Sequence, residues 1–247
     1  MDEFFSWLGP FWEQLISVQG HAEPWMLFVA WGVSLALVFT PLWSVTRNAI
    51  TVVHEGGHAI TAILWGRRIA GIKLHSDTSG VTISSGKPWG LGVVCTAAAG
   101  YTAPALLGLA MQFLASEGRV VLGITILAVL LVGIFLSIRN FWGWIVVIPL
   151  LVGFYFAFQF APALQIFLLL FIATFLTVAS LKPIIELQIH RRAGEADESD
   201  ADQLAKLTFV IPGIVWVAYF FVISLAANGL AIWLQIQGLV SLETPPI

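Results

Sequence analysis

Seven apolar runs, near residues 25–43, 46–65, 90–115, 119–138, 141–160, 163–181 and 209–235, occupy most of this 247-residue chain. A helix needs roughly 20 such residues to cross about 30 Å of hydrocarbon. Only 10% of the residues are charged and 59% are hydrophobic, whereas a soluble domain carries about a quarter charged residues. The sequence therefore predicts an all-α polytopic membrane protein with six to seven transmembrane helices. Tight junctions at 44–46 and 139–140 leave the count between those two values. The net charge of −3 offers no basic surface, which excludes nucleic acid as a partner. The lone Cys95 lies in an apolar run and reads as a packing residue.

Three segments interrupt the apolar pattern. Residues 1–20 carry Asp2 and Glu3 where a signal peptide would be basic, and their aromatic and aliphatic residues suit an interfacial amphipathic helix. Residues 67–88 place short β-branched runs around a Ser-Asp-Thr-Ser-Gly turn and predict a β-hairpin. Residues 187–207 are expected as a polar loop. A helix start lies within it, where Asp200 and Gln203 fit an acidic form of the capping box. The whole is expected as one membrane-embedded domain over 1–247. Basic residues set the orientation. Arg67, Arg68, Lys73, Lys87, Arg139, Lys182, Arg191, Arg192 and Lys206 fall on one side of a seven-span arrangement, against Arg47 and Arg119 on the other. The positive-inside rule then puts the N-terminus in the cytoplasm and the C-terminus outside.

The second run holds the costliest residues. His54, Glu55 and His58 are expensive in hydrocarbon unless paired, hydrated or bound. On a helix the two histidines share one face about 6 Å apart along the axis, and imidazoles so placed can share a zinc ion. Glu55, next to His54, is then positioned to take a proton from a water made acidic by the metal and pass it to a leaving amine. Arg47, Thr51, His54, Glu55, His58 and Thr61 recur at spacings of three and four, forming a polar stripe that should face a protein interior or a water-filled cavity. Gly56 and Gly57 each cost about 1 kcal/mol in helix propensity and admit a close neighbour.

The His-Glu-Gly-Gly-His helix, the Gly80-centred hairpin and the small-residue span AAAGYTAPALLG together resemble the site-2 protease-like intramembrane zinc metallopeptidases. The similarity covers roughly residues 45–235 and is greatest to the compact bacterial branch without a PDZ domain. It implies Zn2+ held by His54, His58 and an acidic residue from a distant helix, with Glu55 as catalytic base. It also implies a multi-pass protein of the bacterial plasma membrane whose substrates are transmembrane segments of other proteins, and the charge pattern sets its site nearer the cytoplasmic side. The family's Asn-Pro-Asp-Gly and Leu-Asp-Gly motifs are absent, although a catalytic zinc usually takes three protein ligands. The stretch from Ser199 to Leu204 resembles the acidic motif of the compact branch and points first to Asp200, then to Asp202. Asp200 could equally be a plain helix cap.

Other polar residues fit secondary roles. Asn140, in IRNFWGW, is a candidate for binding substrate backbone, or a helix-start residue. His75 and Asp77 read as an exposed turn. The hairpin edge could hold an unwound peptide by strand addition. Gly100, Pro104 and Gly108, four residues apart, suit close packing or a kink. A zinc-binding, non-proteolytic membrane scaffold or chaperone-like protein is the competing reading, but a structural site has no need of Glu55. A transporter would spread ionisable residues over several spans, whereas here they gather on one. The oligomeric state is not legible.

Overall fold

The computed structural model describes residues 2–195 and 199–243, with side chains over 9–195 and 199–239. In chain order the elements are α1 (Asp2–Ile16), α2 (Pro24–Phe39), α3 (Trp43–Leu64), β1 (Arg68–Leu74), β2 (Gly80–Ser85), α4 (Leu91–Ser116), α5 (Val120–Ser137), α6 (Phe141–Ala157), α7 (Pro162–Ala193), α8 (Asp200–Thr208) and α9 (Gly213–Glu243). Each of the seven apolar runs forms a helix. Not all are spans. Among the described residues, α4, α5, α7 and α9 are long and apolar enough to cross a membrane, and α2 with α3 make at most one more crossing, because they meet at 102°. Pro41 sits in the elbow, where it cannot continue α2. With 17 residues, α6 reaches only about 26 Å. By length and apolarity the described helices thus supply four to five candidate crossings, against six to seven expected; α6, short as it is, runs from the hairpin end, where Asn140 meets Leu74, to the opposite end, where Ala157 packs with Met26 and Ile166. Helix α3 turns away from α2 at the elbow and packs antiparallel to α4, with His54 at Gly100, His58 at Thr96 and Trp65 at Gly92.

The centre of the bundle is α7. Its Leu169 and Leu170 pack with Met26, Met111 and Ile124, and its Leu176 and Ala179 pack with Val38 and Ile50. Gly108 of α4 lies against Thr177 of α7, where a Cβ would come within 2.9 Å of the Thr177 backbone nitrogen. This is the close approach expected of that glycine. Polar contacts fasten α9: Gln235 Nε2 donates to Gln112 Oε1 (3.0 Å), and Asn228 Nδ2 donates to the Thr177 carbonyl (2.8 Å).

The ends of the bundle differ from the expected orientation. The segment after α1 docks on the α4–α5 turn, with Gln19 N donating to Gly118 O (2.9 Å) and Arg119 Nη1 to Ile16 O (2.6 Å). That turn is a full helix length away from the Leu91 end of α4, where the hairpin and the end of α3 lie. The N-terminal segment is therefore on the side opposite the basic loops, a correction to its expected place beside them. The elbow accompanies the change, because α3 turns by 102° from α2 instead of running back beside it. It also carries Arg47 to the basic end of α7, where it pairs with Glu186 at 3.4 Å.

The expected 187–207 loop is largely helical. Helix α7 continues to Ala193, ending in His190, Arg191 and Arg192, which suit the negative helix end. Gly194, at φ 77°, then closes it in the left-handed conformation. Residues 196–198 of that segment lie outside the described residues. The hairpin is antiparallel, with Leu74 opposite Gly80 and Arg68 opposite Ser85, and an irregularity between Ile69 and Gly71. The second edge of β1 is taken by the α5–α6 turn, through a parallel bridge from Ile72 to Ile138 and a 2.9 Å bond from Arg139 N to Ile72 O. The outer edge of β2 has no strand partner among the described residues.

Candidate metal centre

Helix periodicity brings His54 and His58 together with Nε2 atoms 3.0 Å apart and rings edge to face. Asp200, at the start of α8, completes a triangle: its Oδ2 lies 3.1 Å from His54 Nε2 and 3.2 Å from His58 Nε2. His58 Nδ1 is 2.7 Å from the Thr96 carbonyl. A carbonyl only accepts, so Nδ1 holds a proton, and the neutral form of His58 would offer its lone pair to a cation at Nε2. The Asp200 Oδ2 atom is buried and accepts no aligned hydrogen bond. Electron-pair donors crowded this way are satisfied by a cation. Zinc bonds of roughly 2.0–2.1 Å in a tetrahedron give ligand–ligand edges of about 3.3 Å, close to the 3.0–3.2 Å edges here. The residues fit a metal, and His54, His58 and Asp200 could hold one.

Small residues make the recess. A Cβ on Gly100 of α4 would strike His58 Nε2 and come within 2.6 Å of His54 Nε2, so only glycine leaves room for both imidazoles. Gly57 seats α3 on α4, meeting the Ala103 side chain and lying 3.0 Å from the Ala99 carbonyl, measured from an added Cβ. Gly56 faces Ile134 of α5 in the same way, at 2.9 Å. The paired glycines thus admit a helix on each side of α3. Tyr101 closes the far side, its ring edge-on to His54 at 4.7 Å and stacked on Phe220 of α9 at 5.1 Å.

Glu55 is held from the hairpin. Only 3% of the residue is exposed. Thr82 Oγ1 lies 2.6 Å from Glu55 Oε2 and 3.1 Å from the Glu55 carbonyl, and Gly80 leaves the space its carboxylate occupies. Thr51 Oγ1 adds a 2.7 Å bond to the Thr78 carbonyl. Alternation in β2 turns Gly80, Thr82 and Ser84 toward cover and leaves Val81, Ile83 and Ser85 exposed.

Ser199 is the cap of α8, so the expected pairing of Asp200 with Gln203 does not form the capping box. Ser199 Oγ accepts from Asp202 N at 3.4 Å and donates to Asp202 Oδ2 at 2.5 Å. Capping by Ser199 leaves the Asp200 side chain free to face the histidines. Asp202 instead pairs with Arg191. The Asn140 carboxamide is engaged by strand backbone, accepting from Leu74 N (3.2 Å) and donating to Leu74 O (2.6 Å). His75 and Asp77 are exposed, in the turn as expected. The Ser79 hydroxyl and amide both donate to Asp77 and hold its carboxyl below the usual carboxylate range. Thr82, Thr96 and Tyr101 are contributors that the sequence reading missed, since hydroxyl and aromatic residues carry no spacing signal of their own.

A family model described as Peptidase M50B-like matches residues 27–231, which takes in every residue of this site. Comparison with curated proteins and with solved structures finds no match.

Proposed function

Because the chain belongs to the peptidase M50B-like family, we propose that it is an intramembrane zinc endopeptidase hydrolysing peptide bonds in or near transmembrane segments of other membrane proteins. The observation that carries this reading is a buried carboxylate, Glu55, beside a triangle of two imidazole nitrogens and one carboxylate oxygen. In this reading His54, His58 and Asp200 are the metal ligands. Bound zinc supplies a Lewis acid that brings the pKa of a water molecule to about 7. Glu55 takes the proton of the attacking water and returns it to the departing amine. Thr82 orients the Glu55 carboxylate toward the scissile bond. A substrate helix, once unwound, pairs with the open edge of β2 by strand addition. Asn140 contributes to substrate binding by holding β1, and through it β2, in place. The protein works as a single multi-pass domain of the bacterial plasma membrane, its site at the basic, cytoplasmic end.

The test uses the purified protein in detergent or lipid. Glu55→Gln should retain about one zinc per chain and lose cleavage of a membrane-spanning substrate, while His54→Ala should lose both. Undiminished cleavage by Glu55→Gln would sink the assignment of Glu55 as base, and a wild-type protein that takes up no zinc would sink the reading as a whole.

A further inference from the structure

The Arg191 guanidinium, at the end of α7, touches two further elements at once. It pairs with the Asp202 carboxylate on the first turn of α8 and lies 3.4 Å from Ser199 Oγ, the cap of that helix. It also fills the space over Gly213, the first residue of α9, where a Cβ would come within 2.8 Å of Nη1 and 2.9 Å of Cζ. The Arg191 and Asp202 side chains are only 17% and 24% exposed. Asp200 sits between the two clamped residues, Ser199 and Asp202. A nine-residue helix has little stability of its own, so its neighbours decide how it lies. Ala201 and Leu204, both 0% exposed, pack with Ala97, Ile184, Leu187 and Phe220. Apolar packing of this kind fixes the depth of α8 but is non-directional. The rotation of α8 about its axis needs directional bonds, and a planar guanidinium can hold a carboxylate and a hydroxyl together where an ammonium acts as a point charge.

We propose that Arg191 is the positioning residue that presents Asp200 to His54 and His58, by locking the first turn of α8 between the ends of α7 and α9. The proposal rests on Asp200 being a metal ligand. Two features set it apart from an ordinary surface ion pair. Gly213 is shaped to the guanidinium, and the partner carboxylate is itself part of the cap.

The experiment measures zinc affinity of the purified full chain by chelator competition, alongside melting of the metal-free protein and the visible spectrum of the Co2+-loaded form. Arg191→Ala should weaken zinc binding about 10- to 100-fold, the range for partners that orient a ligand. Gly213→Ala, which displaces the guanidinium without removing it, should have the same sign. Arg191→Lys should fall between wild type and Arg191→Ala. His190→Ala, a neighbouring side chain outside the clamp, should bind zinc as wild type does. Wild-type affinity in Arg191→Ala, with zinc lost in Asp200→Asn, would overturn the proposal while leaving Asp200 a ligand. Normal zinc binding in Asp200→Asn would overturn the ligand reading and the proposal with it. An unchanged Co2+ spectrum in Arg191→Ala, with weaker binding matched by lower metal-free melting, would reduce Arg191 to a stabiliser of the fold and overturn positioning.

Discussion

Thr82 reaches two oxygens of one residue, the carbonyl and a carboxylate oxygen of Glu55, and this hydroxyl is the only described side-chain donor to that buried acid. Replacing it with valine keeps the shape and removes the donor. A buried acceptor deprived of its partner costs about 1–3 kcal/mol. Thr82→Val should therefore lower kcat roughly 5- to 150-fold if the loss is felt in the transition state. Zinc content should be unchanged, and Thr82→Ser should recover most of the rate. A Thr82→Val protein with full activity would show that Glu55 needs no such support. At this scale the sequence was partly legible. A spacing of four on a helix suffices to bring two imidazoles together, because the backbone alone sets that geometry. The Asp200 contact and the Thr82 contact depend on where distant elements dock, and no local spacing encodes docking. Asp200 and Asp202 differ in role because Ser199 captures the cap and Arg191 captures Asp202, a distinction between two aspartates in similar company.

Among the elements, the hairpin is the one whose support was misjudged. Its strands and turn follow from β-branched alternation and a Ser-Asp-Thr-Ser-Gly turn, both local signals. The third contributor to the sheet, the α5–α6 turn, does not. Asn140 stands at the start of α6, as one of its two readings expected, and its amide also bonds Leu74 backbone in both directions, 66 residues earlier in the chain. Asn140→Ala leaves both Leu74 groups to find water. The expected result is faster amide hydrogen exchange at Leu74, reduced substrate cleavage and normal zinc content. Exchange as slow as in wild type would show that the bridge at Ile72 suffices to hold the strand. Helix boundaries within the apolar runs were legible to within a few residues, except at the far ends of α9, which runs eight residues past the expected 235, and of α7. Its last dozen residues are polar enough to resemble a loop, and only packing of Ile184 and Leu187 against α4 and α8 keeps them helical.

At the scale of the whole molecule, the elbow between α2 and α3 changes where the ends of the chain lie. Hydropathy identified the runs but could not distinguish a crossing from a helix turned by 102°, since both are apolar segments of similar length. With α3 turned at the elbow, the segment after α1 and the far end of α9 share a side with residues 117–119, and the basic loops share the other. In a Cys95→Ser background, a cysteine placed at Glu117 should react with an impermeant thiol reagent added outside spheroplasts. One placed at Arg192 should react only after lysis. Labelling of both from the same side would refute this arrangement. The elbow also bears on how the protein is made. As the ribosome delivers the chain, α2 can enter the bilayer on its own hydrophobicity, but α3 brings a stripe that no lipid will cover. That stripe must wait at the surface until α4 and then α7 have been synthesised, and the metal triangle stays open until residue 200 has emerged. A nascent chain shorter than that holds two histidines and a buried base with nothing to complete them, so the order of translation itself delays the moment at which the molecule can bind metal.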